Sequence, residues 1–262
     1  MPLTDFQREV ALLLASHRNP ESHVAGGAVI NRADESLRYS DDLDIFHDVA
    51  ESVAVCAEAD AAVLRTAGCS FHWTLRQEGF FRAEVRRGKD GLRLDWAADS
   101  PFRFFPVQPD KDFGYCLHPA DLAVNKVLAL AGRSEFRDFL DVLYLDGSYL
   151  SLGTIIWAAC GKDPGYTPAL LLDLANRHVR FQESDLLGEL LARPVDFKDL
   201  KTQWLAACER AQSLFLRLPA QELGCLYVDT NGIPQTPDPD SADFSRFTRH
   251  WGSVRGAWPK FS

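Results

Sequence analysis

Along the chain, hydrophobic and polar positions follow first a helical and then a strand period. Phe6, Val10, Leu13 and Leu14 recur at helical spacing behind Thr4 and Gln7, a capping-box pair, and predict a first helix. His23 to Ala25 reads as a short strand running into Gly26 and Gly27. Leu43 to Phe46 reads as a second strand, apolar except for Asp44, after a polar stretch from Asn31 to Ser40. Asp48 is placed to cap a helix rich in Ala and Val that runs to about Thr66, with Gly68 just past its end. The period then changes to two. Ser70 to Arg87 and Leu92 to Trp96 flank Gly88, Lys89, Asp90 and Gly91 and predict a hairpin, and Phe102 to Val107 predicts another strand.

From Pro119 the pattern is helical almost to the end. Leu122, Val124, Val127, Leu128 and Leu130 are the apolar set of one helix, stopped at Gly132, and Ser134 is placed to cap the next, Glu135 to Leu145, ended by Gly147. Further helices are predicted at about 152–160, 167–178, 184–192 and 197–217. The change from mixed α/β to all-α near residue 117, with no internal repeat and one Pro/Asp-rich loop around Pro234 to Pro239, divides the chain into lobes 1–116 and 117–262.

Composition narrows the class. The chain has 262 residues, 46% hydrophobic and 25% charged, which excludes disordered and collagenous proteins. A net charge of −9, from 28 basic and 37 acidic residues, argues against non-specific coating of nucleic acid. The longest uncharged stretch, between Asp146 and Lys162, falls short of the roughly 20 residues that cross a bilayer, so no membrane span is expected. Asp5, Arg8 and Glu9 lie where a secretory leader would be apolar. The six cysteines, Cys56, Cys69, Cys116, Cys160, Cys208 and Cys225, form no CxxC pair; they read as reduced core thiols of a cytoplasmic protein rather than a zinc or disulfide framework.

The segment that carries chemistry is Gly26-Gly27 followed by Arg38-Tyr39-Ser40-Asp41-Asp42-Leu43-Asp44. In a strand, Asp42 and Asp44 share one face while Leu43 and Ile45 point to the core. Two carboxylates on one face repel, and the usual remedy is a cation; oxygen donors of this kind suit Mg²⁺, whose shell is completed by water and substrate phosphates. Arg93, Asp95 and Ala97 alternate with Leu92, Leu94 and Trp96, so Asp95 can join the pair if the two strands are neighbours. Downstream, Lys126 stands among apolar residues of a helix, and Arg137, Asp138 and Asp141 lie along one flank of the next.

Gly-Gly, then Arg-x-Ser-x-Asp-Leu-Asp, then a helical Lys126 with Arg133 and Arg137-Asp138-Phe139-Leu140-Asp141, resembles the nucleotidyltransferase fold as found in the AbiEii toxin family of type IV toxin-antitoxin and abortive-infection systems. The resemblance spans roughly residues 23–145. It implies an α/β fold, a small mixed sheet with flanking helices plus a C-terminal helical lobe. It also implies Mg²⁺ held by Asp42 and Asp44, with Asp95 added as a third ligand on the strand reading alone, and nucleotide contacts from Gly26, Gly27, Arg38, Ser40 and Lys126. Lys126 would bind the triphosphate of an NTP across a cleft shared by the lobes, with Asp138 or Asp141 fixing it or assisting the acceptor. The implied activity is transfer of a nucleoside monophosphate from NTP to a hydroxyl, with RNA, tRNA first, as acceptor and a separate antitoxin protein as partner. The chain departs from the pattern in two places: many nucleotidyltransferases carry Gly-Ser where Gly26-Gly27 stands, leaving Ser40 to supply a hydroxyl, and Asp41 adds an acid beside the pair.

Two other readings remain open. One is nucleotidyl transfer to a small cationic acceptor such as an aminoglycoside, and the other is a catalytically silent binding module with the same fold. Two basic segments bear on the choice. Arg82, Arg86, Arg87, Lys89 and Arg93 sit on the hairpin, as a cleft rim or a charged sheet edge. Arg246, Arg249, Arg255 and Lys260 interleave with Phe244, Phe247, Trp251, Trp258 and Phe261, as an RNA surface or, more simply, as a terminal segment docking its rings on the helical lobe. His47 reads as an ordinary loop histidine.

Overall fold

The structure is a computed structural model and describes residues 3–33 and 35–261. In chain order its elements are α1 (Asp5–Ala15), β1 (Ser22–Ala25), α2 (Gly26–Ile30), β2 (Asp42–His47), α3 (Ala50–Thr66), β3 (Ser70–Gln77), β4 (Phe80–Arg87), β5 (Asp90–Ala98), β6 (Phe102–Arg103), β7 (Gln108–Asp110) and β8 (Gly114–Cys116). There follow α4 (Pro119–Gly132), α5 (Phe136–Ser148), α6 (Leu152–Lys162), α7 (Pro168–His178), α8 (Phe197–Arg217), β9 (Cys225–Val228), β10 (Thr248–Trp251) and β11 (Ser253–Val254). Two compact units result. One contains the described residues up to Pro101 with Val107–His118, and the other contains Phe102–Pro106 with the residues from Pro119 on.

The first unit is a mixed seven-stranded sheet in the order β3-β4-β5-β2-β1-β8-β7. β2 pairs with β5, and β1 with β8, in parallel; the other neighbours are antiparallel. One sheet face is closed by α1 and α3. Onto it the alternation of β2 and β5 turns Leu43, Ile45, Leu94 and Trp96, all 0–1% exposed, against Val53, Ala57, Ala61 and Leu64 of α3. Trp96 also anchors a polar core. Its indole donates to the fully buried Asp60 at 2.8 Å, Arg18 Nη2 donates to both oxygens of the same carboxylate at 2.6 and 2.7 Å, and His17 Nδ1 lies 2.8 Å away. Because this face carries the apolar residues of β2 and β5, the acidic ones are turned to the opposite face.

The second unit packs α4 to α8 around Leu130, Phe139, Ile156, Leu171 and Trp204. β9 and β10 pair antiparallel, and Cys225 and Tyr227 of β9 cluster with Trp157 of α6 and Leu214 of α8. Phe102–Pro106 is strapped to this unit: Asp121 of α4 accepts the N–H groups of Phe104 and Phe105 at 2.7 and 3.0 Å, and β6 pairs with β11. Among the described residues no single helix is long and apolar enough to cross a membrane.

Several local expectations are corrected. The strand segment from Ser70 is itself a hairpin, turning at Glu78-Gly79, and the next turn is the shorter Gly88-Lys89 because Asp90 and Gly91 pair within β5. The cap position of α3 is taken by Val49, without a side-chain cap bond, rather than by Asp48. Glu135 occupies the cap position of α5, and the Ser134 hydroxyl donates instead to the His178 carbonyl. The 184–192 helix is a short 3₁₀ segment, Glu183–Gly188, and Phe102 to Val107 contributes two strand residues only. The C-terminal part is not all-α: β9 and β10 are short, their partners lie about twenty residues apart in sequence, and a four-residue apolar run such as Cys225–Val228 carries no periodicity that separates strand from helix. His47 closes β2 rather than lying in a loop. It is fully buried, and burial with the nearby Arg18 charge lowers its pKa to about 4.

Candidate active site

The open face of the first unit's sheet carries a charge lattice fixed by register. Asp44 of β2 lies directly opposite Asp95 of β5, which in turn faces Arg82 of β4. One pleat along, Asp42 faces Arg93, which faces Glu84. Neighbouring strands are roughly 4.8 Å apart, so four carboxylates and two guanidinium groups project side by side from one surface.

Their contacts follow. Arg82 forks onto Asp95, Nε to Oδ1 at 2.7 Å and Nη2 to Oδ2 at 2.6 Å, and this partner raises the arginine's pKa still further. Arg93 Nη2 donates to Asp42 Oδ2, and its Nε lies 3.8 Å from Asp95 Oδ1. The Ser40 hydroxyl lies 3.2 Å from Asp42 Oδ1 and 3.1 Å from the Asp42 carbonyl, so it serves to orient that residue. Asp42 and Asp95 are buried, Asp44 is half-buried and Asp41 is exposed.

Gly26 and Gly27 are required by this packing. Gly26 has φ +70°, and a Cβ there would overlap Asp44 Oδ2. A Cβ on Gly27 would lie 2.8 Å from Arg38 Nη2 and 2.9 Å from Ser40 Oγ. The glycine pair therefore lets the acidic strand and the Arg38–Ser40 segment close on β1 and α2. Arg38 is buried, and its Nη1 donates to the Tyr39 carbonyl at 2.9 Å.

Lys126, Asp138 and Asp141 come together inside the second unit. The ammonium lies 2.9 Å from Asp138 Oδ1 and 2.8 Å from Asp141 Oδ2, and Arg133 Nε donates to Asp138 Oδ2 at 2.7 Å. Both carboxylates are fully buried and the lysine side chain is 10% exposed. Burial would raise the Asp138 pKa, but Lys126 and then Arg133 override it and hold the carboxyl below its usual range. The spacing of Asp138 and Asp141 on α5 thus builds a buried two-carboxylate seat for one ammonium.

Sequence reasoning missed the role of the hairpin arginines. Arg82 and Arg93 face carboxylates, Arg86 pairs with Glu84 at 2.9 Å, and Arg87 pairs with Glu9. The signal was present in β5, where Arg93 and Asp95 occupy alternate positions on one face. In the C-terminal segment Arg246 pairs with Asp243 and Arg249 with Glu222, and the Arg249 guanidinium stacks over Phe244 and Tyr227.

Hard oxygen donors in pairs suit Mg²⁺, which takes one or two carboxylates and completes its shell with water and phosphate oxygens. Asp42 and Asp44 fit that description. Asp95 is already bound bidentately by Arg82, and among the described residues no group of three or more His, Cys, Asp or Glu side chains is arranged to hold a metal.

The mixed sheet with flanking helices is a fold that this chain shares with solved structures of nucleotidyltransferases. The chain is similar to MenT4, a nucleotidyltransferase toxin from Mycobacterium tuberculosis H37Rv, with a TM-score of 0.56 at 17% identity over 83% of this chain and 84% of that one. It is also similar to an H. pylori protein classed as a nucleotidyltransferase, with a TM-score of 0.50 at 16% identity over 82% of this chain and 96% of that one. At such identities the shared property is the fold. No family model and no curated protein sequence matches the chain.

Proposed function

We propose that the protein is a Mg²⁺-dependent nucleotidyltransferase that moves a nucleoside monophosphate from an NTP to a hydroxyl group. The observation that carries this reading is the register of β2 and β5, which sets Asp44 against Asp95 with Asp42 on the same face. Asp42 and Asp44 are the metal ligands, and Asp95 becomes a third when Arg82 releases it. When bound, Mg²⁺ neutralises the phosphate oxygens and polarises the α-phosphorus toward attack. The acceptor hydroxyl oxygen bonds to that phosphorus as the bond to the bridging oxygen breaks, the hydroxyl proton passes to solvent, and pyrophosphate leaves. The chain's own contribution is placement. Gly26 leaves Asp44 its room, Ser40 orients Asp42, and the strands hold the carboxylates with no reorganisation at the moment of transfer.

Our reading extends to a toxin acting on RNA, with tRNA the first acceptor to test and a separately encoded antitoxin as its restraint; the motif resemblance and the shared fold support it. A second acceptor class has an observation in its favour. Arg82, Arg86, Arg87 and Arg93 are each paired with a carboxylate, so these side chains form no unbalanced basic rim for RNA, and an acidic face suits a cationic acceptor such as an aminoglycoside.

The test is incubation with α-labelled NTPs and Mg²⁺, with total tRNA in one arm and an aminoglycoside panel in the other. Label on either acceptor that disappears in Asp44→Ala supports nucleotidyl transfer and names the acceptor. Absence of label together with absence of NTP binding refutes it in favour of a silent module.

A further inference from the structure

Resting on the nucleotidyl-transfer reading, we propose that Arg82 and Arg93 are positioning residues that act as the site's own counter-ions. They hold the carboxylates while no divalent cation is bound, and they turn to the nucleotide's phosphates when one is. Metal and nucleotide binding are coupled through them.

The lattice on the sheet carries the argument. Arg82, Asp95 and Asp44 are successive cross-strand partners, as are Arg93 and Asp42 one pleat along. Asp42, Asp44 and Asp95 bring three negative charges, and Arg82 and Arg93 return two positive ones. The arginines claim the oxygens that a metal would need: Arg82 spans both oxygens of Asp95, and Arg93 takes Oδ2 of Asp42.

Mobility is divided unequally. The side chains of Asp42 and Asp95 are 8% and 9% exposed, short and fixed to central strands, whereas those of Arg93 and Arg82 are 33% and 37% exposed on long flexible stems. An incoming dication therefore displaces guanidinium groups rather than carboxylates. A displaced guanidinium keeps its planar fork, which matches phosphate as well as it matched carboxylate, and in the proposed reaction the triphosphate is the anion that arrives. Cation alone meets the opposition of both arginines; cation with nucleotide gives them new partners.

The experiment is a Mn²⁺ titration of the full chain, following free Mn²⁺ by electron paramagnetic resonance, on wild type, Arg82→Gln, Arg93→Gln and Arg93→Lys without nucleotide. A unit charge about 6 Å from a dication in a water-like dielectric is worth about tenfold in affinity. Arg93→Gln should therefore bind Mn²⁺ about tenfold tighter than wild type, and Arg93→Lys, which keeps the charge, close to wild type. At saturating Mn²⁺ the order reverses: both glutamine variants should bind α,β-methylene NTP analogues at least about fivefold more weakly, having lost a charge-assisted phosphate contact. A variant that merely folds poorly weakens both affinities, so the opposite signs mark the mechanism. Mn²⁺ affinity equal to or below wild type in both glutamine variants overturns the counter-ion role alone. Failure of all four proteins to bind Mn²⁺ and the NTP analogue when both are supplied together overturns the nucleotidyl-transfer reading as well.

Discussion

Lys126→Met is the most informative single change in the second unit, because resemblance assigns this lysine to a triphosphate while the structure gives it two buried carboxylates. The ammonium sits within 2.9 Å of Asp138 and Asp141, whose side chains are fully buried. Removing one partner of a buried ion pair costs about 3–5 kcal/mol, because a charge stays behind without compensation. Arg133 still holds Asp138 at 2.7 Å, which puts the expectation at the lower end, about 3 kcal/mol. In a chain of this size that is a fall of about 6–12 °C in melting temperature. Circular-dichroism melts of the variant without nucleotide measure it directly.

Two controls separate this cause from general damage. The double variant Lys126→Met, Asp141→Asn, which removes the stranded charge, should recover at least half of the loss. The gap between wild type and Lys126→Met should also depend on pH. Lys126 and Arg133 hold the Asp138 pKa below the unfolded value, so the stability that this carboxyl contributes is fully present above a pH of about 4 and is lost as pH falls through the depressed value. The gap should narrow below that pH. A variant that melts within a degree or two of wild type at pH 7 would refute the reasoning and return Lys126 to the role of a free phosphate ligand.

Two further outcomes are expected. Gly26→Ala should lower stability by at least about 2 kcal/mol in urea unfolding, since a side chain at φ +70° is strained by about 1–2 kcal/mol before its Cβ overlaps Asp44 Oδ2; adding Asp44→Ala should restore part of the loss, and an unchanged midpoint contradicts the packing argument. Asp121 is raised to about 6, chiefly by burial and against the N–H groups of Phe104 and Phe105; a carboxyl raised on folding contributes stability that is present below a pH of about 4 and lost as pH rises through 6, worth up to about 3 kcal/mol, so the wild-type urea midpoint should decline across that window while that of Asp121→Asn stays flatter.

Much of this architecture was legible because it rests on local rules. The α1 capping box, the stop after α4, the long amphipathic α8 and the alternation that turns Asp42 and Asp44 away from Leu43 and Ile45 follow from spacing alone. What was not legible depends on partners distant in sequence. That Asp95 stands beside Asp44 is a property of β2 and β5 pairing in parallel across about fifty residues, and the strand periods give the face but not the neighbour. The hairpin arginines look like a basic rim until the pairing sets Arg82 against Asp95 and Arg93 against Asp42. β9 and β10 escaped for the same reason: each is too short to show a period and is stabilised as a strand by the other and by Trp157 and Leu214.

The central claim is that Asp42 and Asp44 hold a divalent cation against the phosphates of a nucleotide. It is tested most directly by an anomalous difference map from crystals grown with Mn²⁺ and a non-transferable NTP analogue. The expected result is a manganese peak at about 2.1–2.3 Å from carboxylate oxygens of both residues, bridged to phosphate oxygens, with Arg93 swung off Asp42. Nucleotide bound elsewhere, with Arg93 still on Asp42 and no anomalous peak beside that strand, would contradict the account.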